Sequence, residues 1–364
     1  TNPNLPVFIL DGFEISLEKF NDLDPNLVES ITILKDAQAT ALYGSRASNG
    51  VLIITSVPPQ PGQLRFTYAM TASISAPDLT DYHLLNAEEK FAQEVASGYY
   101  ETGNWLNMYE YLRKKRNAIN RGVDTYWLSI PLRTQFNQNH SLYVDGGSDS
   151  FRFGLGLRYQ NENGVMKESY RNVYGANMSL SYQLPSLKIS NSVSLNVMER
   201  ENSPYGSYST YTQMLPYEAP YDFETGAVVP KFKLAKNIGS GSGIDNPLYD
   251  VVHSASSDFG TYTEITNNFQ LHWSIVGRLS VTGQFSVSKK DDKSEKFASP
   301  NAARYTNPNL TIPEYDELGN QIGTVKPTLS KRGELSLSNM STTNWDAKFH
   351  ATFTQSFDKH FISA

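Results

Sequence analysis

The chain has 364 residues and a formal charge of −6; 39% of residues are hydrophobic and 12% aromatic, the aromatics carried mainly by 22 Tyr and 18 Phe. No apolar run approaches the roughly 18 residues of a membrane helix, and the absence of cysteine excludes disulfides and thiolate metal sites. A negative net charge without a dense Lys/Arg tract speaks against nucleic-acid binding, and the nearest basic run, KKRNAINR at 114–121, has the spacing of a solvated helix face.

The first sixty or so residues read as a compact α/β unit. Val7 to Leu10 is a short buried-strand candidate stopped by Asp11-Gly12, a dipeptide suited to a tight turn. Asp24 before Pro25 announces a brief helical turn, and Ser30 to Leu34 a second strand. Asp36 caps a helix over Ala37 to Tyr43, which Gly44 ends in a left-handed conformation; Gly50 then releases the chain into the strand Val51 to Thr55. Gly44, Ser45, Arg46, Asn49 and Gly50 do not make a phosphate cradle, because they follow a helix rather than open one. Arg46 beside a glycine turn is a structural residue, bonded to carbonyls or a carboxylate. The three prolines of 57–63 mark a linker between this unit, residues 1–56, and the remainder, residues 64–364.

Beyond Leu64 the apolar period is close to two. Phe66, Tyr68, Met70, Ala72 and Ile74 share one face, as do Phe151 to Tyr159, Tyr174 to Tyr182, Leu187 to Val197, Phe269 to Ile275, Leu279 to Val287 and Trp345 to Phe353, each at alternate positions. Opposite faces carry Ser, Thr, Asn, Gln and Gly, and stripes of roughly nine residues match a tilted strand crossing a bilayer. About nine strands are predicted, the last beginning at His360. Connections alternate between tight turns near 146–149, 184–186, 276–278 and 358–360 and others at about 75–137, 162–169, 200–260 and 291–331, all of them long except the shorter one at 162–169. A secreted β-sandwich with one solvated face fits the period equally well, but alternating loop lengths favour an outer-membrane barrel.

Signatures of catalysis are poor. The six histidines, His83, His140, His253, His272, His350 and His360, lack metal-ligand spacing, and no GxSxG elbow occurs. Paired carboxylates such as Glu88-Glu89 and Asp291-Asp292 fall in predicted helix or loop, so no catalytic residue, metal or cofactor is predicted. Binding has better support: the first long loop carries two helical stretches, Ala87 to Ser97 and about Trp105 to Ile119, and loop aromatics Trp105, Tyr109, Trp127, Tyr205, Tyr208 and Tyr211 have faces that stack on sugars or clamp peptides. The competing role for them is packing on one another or forming interfacial girdles.

The segments LDG at 10–12, DPNLVESITILKDAQATALYGSRASNGVLIITS at 24–56 and QNHSLYVDGGSDSFRFGLGLRYQNENGVM at 138–166 resemble the SusC/RagA family of TonB-dependent outer-membrane transporters. The ordered matches LKDA (Leu34, Lys35, Asp36, Ala37), YGSR (Tyr43, Gly44, Ser45, Arg46) and NGV (Asn49, Gly50, Val51) belong to the second half of that family's plug; Ala47-Ser48 departs from its usual Gly-Ala. The resemblance implies a membrane β-barrel, antiparallel and large, with about 22 strands when complete, and a small α/β plug inside it. This chain is then a fragment, with an N-terminal extension, the TonB-engaging segment and the first half of the plug lying upstream. It also implies import of oligosaccharides or oligopeptides across a Gram-negative outer membrane, with a SusD-like surface lipoprotein, TonB and outer-membrane lipid as partners. The rival expectation is a secreted glycan- or peptide-binding module without transport; an outer-membrane hydrolase is more distant.

Overall fold

A computed structural model describes residues 5–35, 45–101, 105–232, 244–276, 278–306, 311–316, 318, 320–326, 328, 332–357 and 360–363. Strand β1 (Val7–Leu10) turns through Asp11 and Gly12, at φ +50° and +89°, into β2 (Phe13–Ile15). Two positive φ values in succession are what a two-residue hairpin needs, and Gly tolerates the second without a Cβ penalty. Helix α1 (Leu17–Asn21), a 3-10 turn over Pro25–Leu27 and β3 (Val28–Leu34) follow. After a second 3-10 turn, Ser45–Asn49, strand β4 (Val51–Ser56) enters between β1 and β3, parallel to β1 and antiparallel to β3. Ile9, Ala47 and Val51 form the buried centre of this sheet, with Val7, Leu34 and Ile53 around them.

The pair β2 and α1 is absent from the sequence-based expectation. A three-residue strand and a five-residue helix are too short to display a period; the turn before them and the cap at Ser16 are what specify them. The predicted second strand starts two residues early, at Val28. The helix expected after Asp36 lies outside the described residues.

The rest of the chain builds one nine-stranded antiparallel sheet, in the order β5 (Gly62–Ser75), β6 (Gln135–Gly147), β7 (Phe151–Asn163), β8 (Tyr170–Gln183), β9 (Leu187–Glu201), β12 (Ser257–Val276), β13 (Leu279–Ala298), β16 (Glu334–Phe357) and β17 (His360–Ser363). Within its long loops sit two small hairpins, β10 (Lys231–Phe232) with β11 (Ile244–Asp245) and β14 (Ile312–Tyr315) with β15 (Gln321–Val325). Helices α2 (Ala87–Ala96), α3 (Trp105–Asn120), α4 (Tyr208–Tyr211) and α5 (Pro247–His253) lie in the first and third long connections. No helix among the described residues is long and apolar enough to cross a membrane.

One face of the sheet is apolar and open to its surroundings. Phe66, Ile74, Trp345 and Phe349 are 68%, 74%, 73% and 75% exposed, far beyond what a sandwich core would leave uncovered. The apolar run on β13 ends at Val287, before Lys289; at about 3.3 Å per residue and the usual tilt, Leu279 to Val287 rises roughly 20 Å, most of the ~25 Å height of a barrel's lipid-facing band. Aromatic rings gather towards its margins: Phe151 is opposite Tyr182 beside the tight turns. Towards the loops, Tyr159 stacks near Tyr174 at 5.3 Å and Tyr68 meets His140 Nδ1 at 2.7 Å.

Strands β12, β13 and β16 run to 20, 20 and 24 residues, against 13 for β6 and β7. The sequence-based reading placed a loop at 291–331, whereas β13 continues through Ala298 and β16 begins at Glu334. The charged run KKDDKSEK looks like a loop, yet its backbone stays paired on both sides, Lys290 against Glu264 and Thr342, and side-chain pairs such as Lys290 with Asp292 (3.0 Å) and Lys296 with Asp258 (3.0 Å) hold the charges. Likewise β12 starts at Ser257, inside the loop expected to end near 260.

Candidate functional site

The polar face of the sheet carries the plug, and the contact is made by the short segment 16–27. Ser16 caps α1 by accepting from Lys19 N at 3.1 Å, and Phe20 packs on Phe8 with ring centroids 4.7 Å apart, fastening the helix to the plug sheet. Asp24 caps the following 3-10 turn by accepting from Asn26 N at 3.0 Å, with Pro25 supplying the fixed φ of the first position. With those apolar and capping contacts made, Lys19, Asp22 and Asp24 turn to the wall.

Lys19 Nζ donates to Ser194 Oγ of β9 at 3.1 Å and to Thr266 Oγ1 of β12 at 2.7 Å. Burial pulls its pKa below the ordinary lysine value, and the Glu264 carboxylate partly restores it. The fully buried Asp22 carboxylate accepts from Arg171 Nη2 of β8 at 2.5 Å and from the Tyr262 hydroxyl of β12, while its carbonyl accepts from Arg158 Nη1 of β7 at 2.5 Å. Asp24 accepts from Ser141 Oγ of β6. Tyr262 also packs with Val173 and Met198 beneath this cluster. In a flat sheet β6 and β12 would lie about 19 Å apart, yet residues five apart in the plug reach both, so the wall curves around α1. A second contact lies at the hairpin tip, where Lys348 Nζ of β16 donates to Gly12 O at 3.4 Å and the Gln284 side chain of β13 occupies the space a Cβ would need.

The plug residues singled out in the sequence shape the plug more than they grip the wall. Asp11 closes its exit by accepting from Ser56 N at 2.9 Å and Ser56 Oγ at 2.6 Å. Lys35 is exposed; Asn49 ends the second 3-10 turn; Gly50, at φ +93° with Leu34 O only 3.0 Å from where a Cβ would stand, is buried and admits no side chain. Asp36, Tyr43 and Gly44 lie outside the described residues, and of Arg46 the backbone is described but the side chain is not. The sequence alone does not single out Lys19 or Asp22, and it marks Asp24 only as a cap. The available signal was LEKFNDLDP, alternating charges in a segment too short to need them for solubility.

The first barrel strand is fastened to the linker. Asp145, 3% exposed, accepts from Arg65 Nη2 at 2.5 Å and Nε at 3.3 Å and from Gln60 N at 2.9 Å, so the proline-rich exit is held where it meets β5 and β6.

Above the wall the first and third long loops fold into one layer. Trp127 and Tyr211, 2% and 1% exposed, form its core with Val228, Phe232 and Leu248; Tyr205 packs against them and accepts the Tyr211 hydroxyl on its carbonyl at 3.1 Å. Tyr208 is half-buried and Tyr109 is 64% exposed; the Trp105 side chain lies outside the described ones. Lys115 departs from the solvated face expected at 114–121: it is 2% exposed, donates to Glu94 Oε2 at 3.0 Å and Tyr217 OH at 2.8 Å, and lies 4.4 Å from the Tyr217 ring centroid. Helical spacing left Lys115 on the side of α3 that faces α2, where a carboxylate awaited it. Burial pushes Glu94 up, but hydrogen bonds from Tyr100, Tyr217 and Lys115 outweigh it and hold the carboxyl below the ordinary range. Burial pulls Lys115 down, and pushes Tyr100 and Tyr217 up.

Residues 1–51 match the TonB-dependent Receptor Plug Domain family. The chain is similar to the TonB-dependent receptor SusC of Bacteroides thetaiotaomicron, 27% identical over 271 residues covering 70% of this chain and 25% of that protein. It is also similar to the TonB-dependent receptor P26 of Formosa agariphila, 23% identical over 305 residues covering 82% of this chain and 29% of that protein. Among solved structures, the RagAB peptide importer matches in its closed-closed state with a TM-score of 0.72 and in its open-open state with 0.70, at 18% identity, over 99% and 98% of this chain and 40% of the other. The chain thus spans about a quarter of the curated relatives' length, and the structural likeness concerns the fold.

Proposed function

Since the chain belongs to the SusC/RagA family of TonB-dependent receptors, we propose that its protein imports large nutrients, oligosaccharides or oligopeptides, across the outer membrane of a Gram-negative bacterium. The observation that carries this reading is the plug bonded to the polar face of a lipid-facing wall through Lys19, Asp22 and Asp24. Polar contacts of this kind can be exchanged for water when the plug shifts, whereas an apolar interface would resist wetting. Substrate must bind the two plug states with different affinity to bias them, and TonB supplies the work that completes the opening.

A SusD-like lipoprotein covers the loop side in this reading, where the aromatic layer of the two long loops is built. The likeness to the RagAB peptide importer supports oligopeptide cargo, with oligosaccharide as the alternative. Of the loop aromatics, Tyr109 and Tyr208 are those with surface to offer a ligand, and Trp127 and Tyr211 serve it by holding the layer rigid. The uncovered apolar stripes of β5, β13 and β16 disfavour the rival soluble binding module. The deciding experiment is growth of a receptor-deletion strain on defined glycans or peptides, complemented with the full receptor or its Asp22→Asn form. Growth on no tested polymer with the intact receptor, or a receptor that partitions into the soluble fraction without detergent, would overturn the reading.

A further inference from the structure

A polar pocket of about 220 Å³ opens away from the plug contact, where the loop ends above β12, β13 and β16 converge. Tyr249 and His253 of α5 line one side with ring centroids 4.6 Å apart, Pro300, Asn301 and Tyr305 another, and Arg332 closes it. Its walls are set by short-range bonds. Asn246 caps α5 by accepting from Leu248 N at 3.0 Å and is itself held by Pro220 O and Val229 O, each at 2.9 Å. Ser299 N donates to Ser256 Oγ at 2.9 Å, and Gly333, at φ +94°, lets Pro300 approach to 3.1 Å from where a Cβ would stand.

Arg332 Nε is buried, and among the described residues no acceptor reaches it. Asp250, the carboxylate on α5, is engaged by Ala303 N at 2.5 Å and is not part of the lining. A charged N–H buried without an acceptor is costly to keep, while a guanidinium beside an amide and two phenol rings is the donor set that suits a planar oxyanion. We propose that this pocket binds a carboxylate carried by a small ligand, with Arg332 as the charged donor, Asn301 as the amide donor and the Tyr249–His253 pair as the aromatic wall. The inference adds a chemical class to the import reading and rests on it for the source of the carboxylate, but binding itself does not require transport.

The test is calorimetric titration of the full-length receptor in detergent with galacturonate against galactose, and with triglycine against triglycinamide. At least one acid should bind about tenfold or more tightly than its neutral counterpart, the worth of one charge-assisted hydrogen bond, and Arg332→Gln should abolish that preference while Arg332→Lys keeps part of it. Preference in the first pair identifies a uronate, in the second a peptide carboxylate. Equal binding of acid and neutral forms, or a preference unchanged in Arg332→Gln with heat-modifiable mobility on gels showing an intact barrel, overturns the proposal. Binding lost in Arg332→Gln with uptake unaffected leaves the pocket standing and removes its link to import; binding intact in a receptor that supports no uptake removes the import reading alone.

Discussion

Asp22 Oδ1 of the plug accepts from Arg171 Nη2 of the wall at 2.5 Å, and the same carboxylate takes the hydroxyl of Tyr262. A buried charge on the plug is thereby neutralised by two strands of the wall, and Arg158 secures the adjoining carbonyl.

Removing that carboxylate charge should free the segment. Asp22→Asn is expected to weaken the contact by about 3 kcal/mol, the lower part of the range for breaking a buried pair because the Arg171 side chain is 31% exposed. Amide exchange over 17–27 would accelerate while exchange in β7 to β9 stays slow; equal protection in variant and parent would refute the role.

An amide pair lies on the lipid-facing side. Asn191 Nδ2 donates to Asn267 Oδ1 at 3.2 Å and Asn267 Nδ2 returns a bond at 3.4 Å, between Ile189, Val193, Ile265 and Phe269. Asn191→Leu alone should lower stability by about 1–2 kcal/mol because it strands the Asn267 amide, whereas the double Leu variant should recover most of the loss. Thermal unfolding in detergent micelles checks the non-additivity; simple addition of the two losses would contradict it.

The two faces of β16 should answer charge differently. Phe349→Arg places a charge in the lipid-facing band and should cost about 2–4 kcal/mol near its middle, while Thr352→Arg on the polar face should be nearly neutral. The yield of folded barrel in the outer membrane, read by its heat-modifiable mobility, separates them.

The loop layer should be acid-sensitive. Glu94 titrates below ordinary glutamate when folded, so its stabilisation is present above the unfolded value of about 4.3 and is lost as pH falls through the lower folded value. Tyr217→Phe removes one of the bonds that depress it, so loss of the layer should begin at higher pH. The acid midpoint of Trp127 fluorescence, measured against a Trp127→Phe control, should shift upward; an unmoved midpoint would show that Glu94 does not govern the layer.

The nine strands and their alternating connections were legible because a side chain in a strand faces one of two ways, and a face against hydrocarbon tolerates almost no polar residue. Phe151 to Tyr159 announces its strand without reference to any neighbour. The upper ends of β12, β13 and β16 were not legible, because above the membrane both faces meet water and the alternation disappears; what keeps Lys289 to Lys296 extended is backbone pairing to strands distant in sequence. The plug's glycine turns were likewise visible, since Asp11-Gly12 and Gly50 are local requirements of the backbone.

What the sequence determined by itself was therefore the set of local preferences: period-two stripes, turn chemistry at Asp11-Gly12, the cap at Asp24, and the ordered plug segments that carry its resemblance to TonB-dependent receptors. The tertiary structure alone decided which partner each charge meets: the Ser194 and Thr266 hydroxyls for Lys19, Arg171 for Asp22, Lys115 for Glu94; it also decided which aromatics of the loops became core. A charged side chain has the same local pattern whether it faces water or a partner a hundred residues away, and only the folded wall and loops, by excluding water around some of them, distinguish the two.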